Sequence, residues 1–338
     1  MKTLDTSRLY AAQVSLYSGK ARAYLRYKQV PFEEILPSRE VIEQILKPRT
    51  GVRMIPVLIT PEDEAIQDTT VIIDRVEATH PARSVVPETP KQRFVSQLVE
   101  LYADEWLLMP AMHYRWAYPR HHLLFIASEF GQLFKPEWPE WSHLFAGLPL
   151  VVYFGLGHGP VLGIDRHTRG AIEETYEAFL AGFDKHLEEH RYLLGDRPTV
   201  GDFGLMAPLY AHLYRDPYSG RLMKRLAPRV HDWVKRMNAP EDQTFGALLS
   251  DDAIPETLAP MLEHALGEHL PIVRDTWDKM ERWASENQGE DIFPRFVGRH
   301  AFGIGSARST RTVQTYTAWM SQRTFDAWHA LDASDRQE

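Results

Sequence analysis

Apolar and polar positions change their period along the chain. Over the first 85 or so residues, short apolar runs of strand length alternate with segments whose apolar residues recur every three to four positions, the mark of an α/β unit. Residues 8–12 read as a strand, and 19–29 as a helix with Ala21, Leu25 and Lys28 near one face. Residues 32–36 give a second strand and 38–46 a second helix, while 56–60 and 65–67 give two short strands around the acidic turn Glu62-Asp63-Glu64. A third helix over 69–79 is ended by His80-Pro81. The order is βαβ followed by ββα.

From Pro90 onward the pattern is helical, with amphipathic runs at 92–117, 169–190, 202–214 and 228–237, then 255–269, 272–285 and a last helix near 310–331. Residues 292–304 read as extended. The aromatic and proline-rich segment 119–163 is expected to make short helices and irregular loops. Its uncharged run, 146–164, is interrupted by Pro149, Gly155, Gly157, His158, Gly159 and Pro160, so no continuous membrane-spanning helix is expected. The expected organisation is an α/β domain at 1–86 and an all-helical domain at 87–338, of which 239–338 is a helical extension. That extension carries Ile254, Leu258, Met261, Leu266, Ile272, Trp277, Phe293, Phe296 and Trp319, among others, and is expected to bury them against the helical domain.

Composition narrows the chemistry. With 338 residues, 44% hydrophobic and 25% charged, the chain reads as an ordinary globular protein of about two domains. The 38 basic residues against 46 acidic give a net charge of -8, which argues against nucleic acid or anionic membrane as a partner. Cysteine is absent, which excludes disulfides, thiolate metal sites and a cysteine nucleophile. The first residues hold no apolar run of signal-sequence type, so the cytoplasm is the expected location.

Four local signals carry the candidate chemistry. Ser15-Leu16-Tyr17-Ser18 lies between the first strand and the first helix, where a hydroxyl stands beside the free amides and positive dipole end of the helix and can stabilise a thiolate. The same serines also read as helix caps. Ile55-Pro56 opens a strand and is a candidate cis bond that would turn the Ile55 backbone outward toward an extended, peptide-like ligand. Asp68-Thr69 starts the third helix, where Asp68 can hold an ammonium and Thr69 a carboxylate, or either can simply cap. Thr199 to Asp202 has the spacing of a capping box and is structural. His186-Leu187-Glu188-Glu189-His190 spells an inverted zinc-protease motif, but no third ligand is suggested nearby, and no metal is expected.

Together these residues resemble the glutathione transferase superfamily across roughly residues 8–238. The resemblance implies a thioredoxin-like first domain that binds glutathione as co-substrate, a helical second domain that binds a small electrophile, and a homodimer. It implies that Ser15 activates the thiol, with Tyr10 as its rival. It further implies that Ile55, Pro56, Asp68 and Thr69 hold the tripeptide, and that Tyr114 and Arg115 border the electrophile pocket. Asp-Thr stands where Glu-Ser is commoner, and the chain runs about 100 residues past the usual end. The expected function is therefore addition of the glutathione thiol to an apolar electrophile. The alternatives are a noncatalytic binding or assembly protein of the same fold, or a glutathione-dependent isomerase or lyase. The extension can form a lid through Arg295, Arg299 and Arg308, or serve as a buttress.

Overall fold

The computed structural model describes residues 6–240 and 243–336, and residues 156–158 by their backbone alone. Strand β1 (Ser7–Tyr10) is joined to β2 (Phe32–Ile35) in parallel, a pairing that needs a crossover, and helix α1 (Leu16–Tyr27) supplies it. Strands β3 (Val57–Ile59) and β4 (Ala65–Gln67) complete an antiparallel edge, giving the sheet order β2-β1-β3-β4. Successive residues of β1 point to opposite faces. Leu9 and Ala11 enter the main core with Tyr24 and Leu25 of α1 and with Ile72 and Ile73 of α3 (Thr69–Thr79), whereas Tyr10 packs beneath the sheet on Leu46, Val57 and Ile59. Leu46 belongs to the helical segment 39–50, α2. The expected βαβ-ββα order is the one observed.

The helical domain begins with α4, residues 90–117, whose hydrogen-bond ladder widens to a π-type turn at Tyr102–Trp106. The segment 119–163 departs from expectation. It forms two long packed helices, α5 (Pro119–Phe134) and α6 (Glu140–Leu162), and its glycines are the reason they fit. A Cβ on Gly131 would lie 1.8 Å from the His143 carbonyl oxygen, and one on Gly147 would lie 1.7 Å from that of Ala127, so the helices meet backbone to backbone. Glycines that read as breakers serve here as a contact surface. Pro149 and Pro160 lie within α6, and Gly163, at φ +75°, ends it. Trp141, Phe145, Leu148 and Val152 form an exposed stripe along α6. Among the described residues α6 alone is long and apolar enough to cross a membrane, and 13% of its apolar window is buried.

Helices α7 (Arg169–Glu189), α8 (Val200–Pro208, continued by a π-type turn at Leu209–Tyr214), α9 (Pro217–Leu226) and α10 (Pro228–Asn238) complete the bundle. The capping box is present at α8, where the Thr199 N–H donates to Asp202 Oδ2 at 2.8 Å. Helix α8 lies on α1 and joins the domains, with Tyr24 edge-on to Phe203 at 5.5 Å.

The extension adds helices and one hairpin to the bundle. Helix α11, residues 256–286, is followed by a two-stranded hairpin, β5 (Phe296–Ile304) and β6 (Ala307–Gln314), and then by α12 (Thr315–Ala330). Leu258, Met261, Ile272, Phe302 and Ile304 enter the main core, and Met320 and Val273 pack on Leu101 of α4. Leu266, Phe293, Phe296 and Trp319, expected to be buried, are exposed. The extension also supplies the missing cap of α4: Asp252 accepts the Lys91 and Gln92 N–H groups at 2.8 and 2.9 Å.

Candidate functional site

Strand register brings three loops to one end of the sheet. Tyr10 pairs with Val57, and Val57 with Gln67, so the carboxyl end of β1, the amino end of β3 and the carboxyl end of β4 lie side by side. The loops that leave these ends carry Ser15, Ile55-Pro56 and Asp68-Thr69. Three motifs that look unrelated in the sequence therefore share one end of the sheet.

Ser15 is the N-cap of α1, and its Oγ accepts the Ser18 N–H at 3.4 Å. Accepting through oxygen leaves the hydroxyl proton for another partner. Ser18 is fully buried and its Oγ accepts the Ala12 N–H at 3.2 Å, which closes the loop from inside. Ser15 thus holds both the cap and the more open position, and Ser18 braces the loop from within. The Ile55-Pro56 bond is cis. Among the described residues, neither the Ile55 N–H nor its carbonyl is bonded to another protein group. Asp68 caps α3 at φ +85°, with Oδ1 accepting the Thr70 N–H at 2.8 Å and Oδ2 accepting the Tyr316 hydroxyl at 2.6 Å. Thr69 beside it is buried.

Tyr10, the rival, is buried away from Ser15, and Tyr17 is bonded elsewhere. Tyr10 is 2% exposed, in the apolar layer beneath the sheet. The Tyr17 hydroxyl donates to the Asp104 carbonyl at 3.0 Å, and burial, then Glu105 and Asp104, push its pKa up. Below it lies a charge cluster between the domains. Lys20 reaches Glu100 at 2.8 Å and also Asp104, all three within 3% of full burial. Burial opposes the Lys20 charge, yet the two carboxylates outweigh it and hold the ammonium charged. Burial pushes the Asp104 carboxyl well above its usual range, with the Glu100 charge adding to it and Lys20 opposing it. Arg323 of α12, 3.6 Å from Glu100, offsets part of the Glu100 charge. The acidic pair Glu100 and Asp104, one helical turn apart in an apolar run, was the sequence signal for this cluster.

Tyr114 and Arg115 do not stand at an open pocket. Tyr114 is 1% exposed, within an aromatic group with Tyr118, Tyr176 and Tyr218. The Arg115 guanidinium pairs bidentately with Asp216 at 2.7 Å through Nε and Nη2, and donates to the carbonyls of Val14 at 2.8 Å and Ala211 at 2.9 Å. Its donors are spent on the framework, one of them on the residue before Ser15. The expected lid cations are also occupied within the hairpin itself. Arg299 donates to Thr310 at 3.0 and 2.9 Å, Arg308 to the carbonyls of Gly305 and Ala307, and Arg295 lies 5.2 Å from the Phe296 ring centroid. The extension approaches the site instead through Tyr316, which no sequence signal marked. Both His186 nitrogens have protein partners, Thr257 Oγ1 at 2.8 Å and the Tyr192 carbonyl at 3.1 Å, and its motif joins α7 to the extension.

Residues 9–84 match the description of the glutathione S-transferase N-terminal domain, and residues 165–236 that of the C-terminal domain. Both domains of the glutathione S-transferase family are thus matched in this chain, in their family order. Similar solved structures include the glutathione S-transferase of Rhodospirillum rubrum F11, 16% identical, covering 75% of this chain and 98% of that one with a TM-score of 0.45. The beta-etherase LigF of Sphingobium sp. strain SYK-6 is 18% identical over 76% of this chain and 99% of its own, with a TM-score of 0.49. A glutathione S-transferase of Methylobacterium radiotolerans, in complex with glutathione sulfonate, is 16% identical over 74% and 100%, with a TM-score of 0.43. No curated protein matches the chain in sequence. In this transferase-fold chain the segment 85–164, with α5 and α6, and the extension beyond 236 fall outside the two family matches.

Proposed function

We propose that the chain is an enzyme that binds glutathione at this end of the sheet and ionises its thiol for attack on an electrophilic, mainly apolar small molecule. The observation that carries the reading is the Ser15 hydroxyl, whose oxygen accepts the Ser18 N–H and whose proton has no acceptor among the described residues. A thiolate seated there accepts the Ser15 O–H and lies at the positive end of α1. Such a setting lowers a thiol pKa from about 8.5 toward neutrality.

The unbonded N–H and carbonyl of Ile55 suit antiparallel pairing with the ligand's own backbone. Asp68 suits the ammonium of the γ-glutamyl end, and Thr69 its carboxylate. Held in this way, the sulfur attacks the electrophilic carbon, a C–S bond forms, and the displaced electron pair leaves with the departing group. Positioning makes this bimolecular step effectively unimolecular. In this reading Arg115 is a strut of the Ser15 loop and not a wall of the electrophile pocket, which corrects the role first assigned to it and to Tyr114. A cytoplasmic homodimer belongs to the same reading, and light scattering at twice the 39.0 kDa chain mass checks the dimer.

Titration calorimetry with glutathione, combined with ultraviolet detection of the bound thiolate, tests the assignment. Saturable binding with a thiolate band at neutral pH is expected. Absence of any heat of binding would remove the reading.

A further inference from the structure

The first turn of α12 stands at the Asp68 end of the proposed glutathione site, although 248 residues separate Tyr316 from Asp68. The helix is fixed there along its length. Thr317 donates to Glu105, Thr324 to the Gln97 carbonyl at 3.3 Å, and the Trp277 ring N–H to Ser321 at 2.9 Å. Arg323 pairs with Asp74 of α3 at 3.4 Å, and the Thr70 hydroxyl donates to the Met320 sulfur at 3.4 Å. Tyr316 is therefore held against the thioredoxin-like domain by contacts that do not include its own hydroxyl.

That hydroxyl donates its one proton to Asp68 Oδ2, which leaves the phenolic oxygen with lone pairs to accept. A staple that served only to hold the chain would gain from burial, since water competes with an exposed hydrogen bond. Tyr316 is instead 41% exposed, its ring 5.3 Å from that of Trp319, itself 42% exposed. The pair forms an open aromatic wall beside a carboxylate.

We infer that the extension completes the glutathione site, and that Tyr316 is a binding residue whose phenolic oxygen, beside the Asp68 carboxylate, accepts an N–H of the ligand's γ-glutamyl ammonium group. Asp68 and Tyr316 then make a two-acceptor seat with one negative charge, matched to a cation with three donors. The inference rests on the glutathione reading proposed above.

Tyr316→Phe removes the oxygen and keeps the ring. In titration calorimetry, wild type and variant are each given glutathione and its deamino analogue, which lacks the ammonium group. The Kd for glutathione is expected to rise about fivefold in the variant, the size of one net hydrogen bond, while the Kd for the deamino analogue stays the same. An equal loss for both ligands would make Tyr316 a merely structural support and overturn the inference. Unchanged or tighter glutathione binding would overturn it too, the latter showing that the hydroxyl competes for Asp68. If wild type itself gives no saturable heat with glutathione, the functional reading falls and takes the inference with it. Wild-type binding with an unaffected variant removes the inference alone.

Discussion

At one end of the proposed site, the Val14 carbonyl next to Ser15 is held by Arg115, a guanidinium 2% exposed and paired bidentately with Asp216. At the other, the Asp68 carboxylate, besides capping its own helix at the Thr70 N–H, is held by a hydroxyl from a half-exposed tyrosine of the extension. The first brace runs from Arg115, between the two family matches, to Val14 and Asp216 within them, and both of its charges are buried. The second is lent by chain outside the family matches. A buried charge pair is costly to break from one side because the remaining charge stays desolvated, whereas a neutral hydroxyl on a carboxylate at a wetter surface is exchanged for water at little loss. The Ser15 end is therefore built to be invariant, and the Asp68 end to be adjustable.

Removing the extension tests the contrast most severely. Leu258, Met261, Ile272, Phe302 and Ile304 are all within 6% of full burial, and at ~1.5–3 kcal/mol each they sum to on the order of 10 kcal/mol, as large as the whole stability of an ordinary domain. A chain ended after Asn238 should be insoluble or melt far below the full chain. A fragment with an unchanged Tm would show that the Asp68 end needs no outside support. Next in size is Arg115→Met, which strands Asp216 in the core and should lower stability by about 3–5 kcal/mol in denaturant unfolding. A loss below 1 kcal/mol would place the two braces on a par.

Acid offers a way to loosen one end and not the other. His186, which binds Thr257 at the root of the extension, and His269, stacked on Trp106, have pKa values pushed down to about 4 and about 3, in both cases chiefly by burial. Because the unfolded chain takes up these protons near pH 6.5 and the folded one does not, stability falls as pH drops below 6.5 and levels off below the folded pKa. For His186 alone the span from 6.5 to about 4 corresponds to about 3.5 kcal/mol at ~1.4 kcal/mol per pH unit. Hydrogen exchange between pH 7 and 5 should therefore quicken first in α11, which carries His269 and Thr257, and last in α1, which Ser15 caps and which holds no histidine. Exchange that quickened uniformly would remove the distinction between the ends. The smallest effect is expected from Ser15→Ala. It should raise the bound thiol pKa by about one unit, ~1.4 kcal/mol, with the glutathione Kd little changed. An unchanged thiol pKa in ultraviolet titration would mean that the helix terminus alone stabilises the thiolate.

The contrast also explains what the sequence could reveal. The α/β unit was legible because its strands and helices alternate at short range, and α3 spans the residues read for it, 69–79. The motifs at Ser15, Ile55-Pro56 and Asp68-Thr69 were legible because each is a local turn or cap, and the strand register then brings them together. Segment 119–163 misled because glycine and proline are read as breakers, whereas at Gly131 and Gly147 the missing Cβ allows two helices to touch. Strand β6 was taken for the start of a helix since its inward position 311 is an arginine, buried over the Trp106 ring, so the alternation of apolar residues is lost. Arg115 was assigned to a pocket because its partners, Asp216 and Val14, are about 100 positions away in opposite directions. Tyr316 was invisible for the same reason at greater distance.

The cap that Asp252 places on α4 has a consequence for the order in which the molecule is made. The first-turn amides at Lys91 and Gln92 find their acceptor 161 and 160 residues downstream. At about 5–20 residues per second, on the order of ten to thirty seconds of synthesis separate that helix end from its cap. Throughout that interval the α/β unit and the start of α4 have left the ribosome while the amino end of α4 is still open to water. Completion of the first long helix of the second domain is thus timed by the emergence of the chain's last third.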